Sequence, residues 1–322
     1  MDQIESISLL KETFEFVSEE KYLKMFKYSK EFQKKLNLTK EDYDGYAPIV
    51  LEIIPVEDIN EKEGITKFIN QFIDKSLCYI YFNDSKEKID RNFLKTGEKI
   101  SKIIVRIKRK VKSLKDLFFN CKAIKEIKFT KFITNNISDM SGMFSWCNNL
   151  IKLDISKIKT DNVVDMNNMF RNCLQLKEID LTNFKTDKVK NMDCMFYLCD
   201  SLETLNFKNF NTNNVESMNN MFYYCGKLKE LNLSSFQTDK VTSMNSMFYG
   251  CESLEDLNIS SFRINQSCSM KEMFRKCKSL TYLDLSQFNV PQDDKLISGI
   301  FRDCSKELKN NIRNQKPYLD FS

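Results

Sequence analysis

The 322-residue sequence contains no histidine. That absence excludes Ser-His-Asp and Cys-His catalysis, histidine-ligated metal sites and histidine pH switches together. Glycine numbers only 7 and proline 4, and neither G-x-G-x-x-G nor G-x-x-x-x-G-K-[ST] occurs, so no phosphate-cradling loop is expected. No apolar run reaches the roughly 18 residues of a membrane-spanning helix. The N-terminal MDQIESISLLKETFEF is acidic and lacks the basic start and apolar core of a secretory signal. The C-terminal NQKPYLDFS carries no lipidation motif. These absences make a cytoplasmic protein the expectation. A formal charge of +5, from 50 Lys and Arg against 45 Asp and Glu, is too balanced for the one-sided basic surface of a nucleic-acid binder.

What the chain has in place of these is repetition. Cys121, Cys147, Cys173, Cys199, Cys225, Cys251 and Cys277 stand 26 residues apart, and Phe118, Phe144, Phe170, Phe196, Phe222, Phe248 and Phe274 keep the same interval. A fixed period in the range of roughly 20–50 residues marks a chain of stacked repeats. Within the copy at 137–162, Ile137, Met140, Met143, Phe144 and Cys147 fall on one face of a helix. Leu153 and Ile155 then alternate with Lys152, Asp154 and Ser156 as in a short strand. Thr160 and Asp161, both N-cap types, precede the next copy.

The expected fold is therefore an α/β leucine-rich-repeat solenoid, with a helix and a short parallel strand per repeat, over residues 99–310. A mainly helical N-terminal region at 1–98 precedes it, and 311–322 form a tail. The basic run KIIVRIKRKVK, 102–112, alternates Ile103, Val105 and Ile107 with charge and reads as a capping strand whose lysines protect the sheet edge. The polar KELKNNIRNQK that replaces the last strand reads as a capping helix. CYIYF, 78–82, reads as a strand.

Twelve of the 14 methionines form two columns on the face that bears the phenylalanines, which assigns them to the core. Eleven cysteines without C-x-x-C spacing or a histidine argue against metal and for free buried thiols. Cys194 and Cys268 lie off the ladder, and whether either reacts is open. No catalytic, cofactor-binding or metal-binding residue is expected.

Two partner-binding surfaces are candidates. On the strand face, Asp154, Asp180, Asn206, Asn232, Asn258 and Asp284 form a column beside Glu178, Glu230, Asp256 and Tyr282, suited to a polar or basic protein. Trp146, Tyr197, Tyr223, Tyr224 and Tyr249 are of the types enriched at binding hot spots.

The pattern M-x-x-M-F-x-x-C-x-x-L-x-x-L-[DN]-[LI]-S-x-F-x-T-[DN]-x-V, closely followed at 166–189 and 244–262, resembles the BspA-family leucine-rich-repeat surface proteins. That resemblance implies a non-enzymatic interaction protein, and many such proteins are secreted adhesins. Residues 9–36 resemble an F-box, within a module placed at 7–40. Leu10, Phe14, Val17, Leu23 and Phe32 stand near its hydrophobic positions, although Leu10 occupies the place of the usual proline. An F-box would imply a Skp1-like ubiquitin-ligase subunit as partner. The leading expectation is a monomeric protein–protein interaction scaffold of unknown partner, with a ligase adaptor and an exported surface adhesin as alternatives.

Overall fold

The computed structural model describes residues 49–57, 64–70, 78–108, 111–317 and 319. The helical reading of 1–45, including the F-box-like module, lies outside them.

The described part of the N-terminal region is built of strands, not helices. β1 (Ile49–Pro55), β2 (Ile65–Lys67), β3 (Cys78–Phe82) and β4 (Phe93–Lys95) lie there, followed by β5 (Ile103–Ile107) and β6 (Ile124–Phe132). β1 buries Ile49, Leu51, Ile53 and Pro55, one side of a pleat. Its other side carries Val50 and Ile54, so apolar residues on both faces hide the period of two and the stretch does not read as alternating. The strands order as β3-β5-β1-β6-β7, antiparallel up to the parallel pairing of β6 with β7 (Lys152–Asp154). β5 is therefore an interior strand between β3 and β1, not the exposed edge inferred from its lysines. That end of the array is closed by a whole antiparallel sheet.

The repeats differ from expectation in their first arm. Among the described residues only two helices occur, α1 (Asp294–Ile297) and α2 (Lys306–Gln315), both beyond the last cysteine of the ladder. The stretch read as a helix is a row of tight turns. A helix would close each N–H on the carbonyl four residues back. Here the N–H groups of Met143, Ser145 and Cys147 donate three residues back, to Met140, Gly142 and Phe144. The intervening N–H groups of Met140, Gly142, Phe144 and Trp146 donate to Asp165, Asn167, Met169 and Arg171 in the next repeat.

The alternation requires two left-handed residues per repeat, and the pair Gly142 (φ 61°) and Trp146 (φ 63°) recurs as Asn168 and Asn172 (55°, 58°). Asn and Gly reach this conformation most cheaply. Gly142 has a second reason, since a Cβ there would lie 2.0 Å from Asp116 Oδ1. The turns preserve the spacing of three and four that also describes a helix face, so both methionine columns, the phenylalanines and the cysteine ladder are buried as a helix would have buried them.

The strand arm is also slighter than expected. Only β6 with β7, and β8 (Glu230–Asn232) with β9 (Asp256–Asn258), form parallel ladders. Elsewhere in this arm one parallel bridge, Glu178↔Thr204, links neighbouring repeats, while the other parallel bridges, such as Asp139↔Asp165, lie at the start of the turn arm. The molecule is a leucine-rich-repeat stack, but not the helix-and-strand solenoid that the periodicity suggested.

Three ladders fasten the repeats to one another. The ladder phenylalanines stack face on face, from Phe118 on Phe144 at 5.5 Å through Phe196 on Phe222 at 5.7 Å to Phe274 on Phe301 at 5.3 Å. From Cys147 to Cys277 each ladder thiol donates to a carbonyl of the preceding repeat, Cys173 Sγ to Phe144 at 3.2 Å and Cys225 Sγ to Phe196 at 3.2 Å. Thr160, Thr186, Thr212 and Thr238 are buried. Their hydroxyls each bridge to one residue of the next repeat: Thr212 Oγ1 donates to the Gln237 carbonyl at 2.8 Å and accepts from its N–H at 2.7 Å. Thr160 thus serves as a rung between repeats, not as a helix cap.

At the far end α2 turns Leu308 and Ile312 onto the core. Its Gln315 side chain accepts from the Leu285 N–H at 2.8 Å and donates to the Leu283 carbonyl at 2.8 Å, while Asn311 accepts from the Leu283 N–H at 3.3 Å. Two amide side chains stand where a further strand would bond.

Candidate binding surfaces

All eleven cysteines are free, nine of them buried, and Cys194 and Cys304 are half-buried. Burial pushes the Cys147, Cys199, Cys251 and Cys268 thiols up to about 12, which leaves them protonated and unreactive in the folded state. Burial also raises Cys194. Among the described residues no group of three or more Cys, Asp or Glu is placed to hold a metal. No described helix is long and apolar enough to cross a membrane.

The tyrosines named as a candidate hot spot split into two columns. Tyr197, Tyr223 and Tyr249 stack on one another at 4.6 and 4.7 Å, half-buried. The two ends of the pile are closed by cations: Arg171 lies 4.6 Å over Tyr197, and Arg275 5.4 Å over Tyr249. Arg275 is in turn held by Glu272 and by Asp303 at 3.2 Å. Trp146 and Tyr224 belong to the adjacent left-handed column. Tyr224 lies flat on Gly250, where a Cβ would meet its ring at 2.8 Å, and accepts from Lys276 Nζ at 3.1 Å. Trp146 stands apart from the pile and is 40% exposed. The pile satisfies its own rings, so packing between repeats accounts for it.

The strand face is arranged differently. Its Asp/Asn column closes the turn after each strand: Asp180 Oδ1 accepts from the Thr182 N–H at 2.9 Å and hydroxyl at 2.6 Å, and Asn232 Oδ1 accepts from the Ser234 N–H at 3.0 Å. These bonds hold the Asp154 and Asp180 carboxyls below the usual range, with the hydroxyl bond the largest cause. This half of the predicted site has a local structural role, made by the Asp/Asn side-chain preference for bonding two residues on. Among the described residues, the side chains of Glu178, Glu230 and Asp256 have neither such a bond nor an ion pair, and all three are exposed.

Two open troughs run along this face. One, of about 500 Å³, is lined by Asp154, Glu178, Asp180, Leu205 and Asn206 among others. The second, of about 710 Å³, shares Leu205 and is lined by Glu230, Asp256, Asn258, Tyr282 and Asp284. Tyr282 is 62% exposed, and Ile151, at the rim of the first trough, is 42% exposed. The structure thus brings together the whole predicted strand-face set. Glu255, which also lines the second trough, falls outside the two strand columns and was missed.

Stacked repeats with this hydrogen-bonding pattern, and with short parallel strands between some of the neighbours, are the structure of a leucine-rich-repeat protein. The chain belongs to the family described as Mycoplasma protein of unknown function, DUF285, which matches residues 112–229 and 199–315. The BspA type leucine-rich repeat region, in 6 copies, matches 56–164, in keeping with the BspA resemblance of the repeat pattern. No curated protein matches the sequence. Among solved structures, a leucine-rich repeat protein from Eubacterium ventriosum is similar at 19% identity and a TM-score of 0.35, over 54% of this chain and 42% of that one.

Proposed function

We propose that the protein is a non-enzymatic scaffold that holds a protein partner on the strand face of its repeats. The observation that carries this reading is the set of unpaired carboxylates along the two troughs, with Tyr282 exposed at the end. Carboxylates with no cation partner are a standing electrostatic preference for a basic surface, and such preferences set specificity and association rate. The family match to leucine-rich repeats supports a binding role in place of an active site.

The test is fluorescence anisotropy of a labelled oligolysine peptide titrated with the full chain. Binding that weakens with salt, and is lost in the double variant Glu230→Lys, Asp256→Lys, is the expected result. Equal binding by the variant would remove this face from consideration. The BspA-type match favours a second reading, an adhesin on the cell surface. Protease added to intact cells cleaves an adhesin and spares a protein held inside, which separates the two.

A further inference from the structure

The strand face does not end where the repeats begin. Cross-strand register runs Tyr81↔Ile104, Ile104↔Glu52, Glu52↔Lys128 and Lys128↔Asp154, so the outward row of the antiparallel sheet continues into the Asp/Asn column. The inward row, with Leu51, Val105, Ile127 and Leu153, is buried throughout. One face therefore runs over ten successive positions from Tyr81 to Asp284, seven of them strands, roughly 43 Å at the usual strand spacing.

Its two ends are opposite in charge. Around β3 and β5, Lys88 and Lys108 lie 4.6 and 4.3 Å over the Tyr79 ring, and Arg106 lies 5.4 Å over Tyr81. None of these three cations pairs with a carboxylate among the described residues. Lys128, the next basic residue along the face, is exposed. From Glu178 onward the two outward columns hold Glu178, Asp180, Glu230, Asp256 and Asp284 and no Lys or Arg.

We infer that the basic partner of the acidic repeat face is the β3–β5 end of a second copy of this chain, in a face-to-face antiparallel dimer. This inference rests on the proposed function and replaces the monomer expected from sequence. A two-fold axis lying between the two faces and parallel to the strands sets β5 of each copy, with Arg106 and the adjoining Lys108, against β9 of the other, with Asp256, and beside Glu230 on β8, twice over. Two-fold contacts of this kind are self-complementary and close. A parallel arrangement would set like charge on like. The face is only about three residues wide, so its footprint is small for a standard interface of about 800 Å² per partner. The dimer is thus weak and dominated by charge. Salt shortens the reach of such charges to about 3 Å at molar ionic strength.

The experiment is sedimentation velocity of the full chain over a concentration series at low and high salt. A concentration-dependent dimer that is lost in high salt is expected. Arg106→Glu with Lys108→Glu makes both ends acidic, and Glu230→Lys with Asp256→Lys makes the acidic end basic. Each double variant alone should be monomeric, while an equimolar mixture of the two should recover the dimer, which also shows that both variants are folded. Monomers at every concentration, variants that dimerise alone, or a mixture that stays monomeric would each overturn the inference, as would assembly growing past two copies. Binding of a single-stranded oligonucleotide at Arg106 and Lys108 by a protein that stays monomeric would assign the basic end to a different ligand and also overturn it. Oligolysine binding by a monomeric wild-type chain would leave the proposed function standing while the dimer fails. Absence of both would remove both.

Discussion

The two arms of each repeat make their connections in opposite ways. The turn arm sends an N–H to the next repeat at every second residue, and it contains the stacked phenylalanines and the thiol ladder. The threonine rungs, in the loop between copies, tie the same stack. The strand arm has three-residue ladders at two places and a single bridge at a third, under a row of exposed polar side chains. Cohesion is thus concentrated on one side of the stack, and the strand face is free to vary in chemistry with small effect on stability. That division is what a binding surface on a repeat scaffold requires.

The largest expected effect on this comparison comes from Phe222→Ala. Phe222 sits between Phe196 and Phe248 with no exposed surface, and its loss should cost about 3–5 kcal/mol in urea unfolding. A cost near that of a surface substitution would refute the view that the turn arm holds the stack together.

Next come the threonines. Thr212→Val removes the buried hydroxyl that bridges the Gln237 N–H and carbonyl, and should cost about 1–3 kcal/mol. Thr182→Val, on the exposed strand side, removes a bond to Asp180 that water can replace, and should cost less than about 1 kcal/mol. Equal losses at the two sites would erase the contrast between the arms.

The thiols add a pH dependence. Cys147, Cys199 and Cys251 are raised to about 12 in the folded state from an ordinary 9.0, because burial disfavours the thiolate. The folded state then holds protons that the unfolded chain releases, so this stability is complete below about pH 9 and is lost as pH rises toward 12. The unfolding midpoint should fall across that window, and Cys199→Ala should flatten the fall. A midpoint independent of pH there would contradict the buried thiol ladder.

The smallest effect belongs to Glu230→Lys, whose side chain is exposed and unpaired. Its stability change should stay within about 0.5 kcal/mol even as oligolysine binding weakens. A large loss of stability would mean that the strand face is structural after all.

The repeat period, the core columns and the strand-face columns were legible in the sequence because all of them follow from a strict period. What was misread is the backbone that joins them. Met140, Met143, Phe144 and Cys147 fit a helix face and a row of turns equally well, and apolar spacing alone does not separate the two. The discriminating signal was present at the intervening positions: Gly142, Asn168 and Asn220 are turn formers, and all three adopt the left-handed conformation. Tyr197, Tyr223 and Tyr249 were legible as a column but not as a closed pile, since the arginines that cap it occupy the same column and look exposed until the turns are built. In the N-terminal region, Val50 and Ile54 make β1 apolar on both sides and removed the alternation that would have marked it.

The amides of Asn311 and Gln315 have a consequence for how this molecule can change in length. The turn-arm bonds recur at every seam between inner repeats, so a unit of 26 residues can be lost or duplicated in the interior and leave matching turn arms on both sides. The two terminal seams are unlike any other, one closed by an antiparallel sheet and the other by a helix. Growth by adding copies at the tail would have to discard α2 first. A copy gained or lost between inner repeats would lengthen or shorten the strand face without altering what closes it.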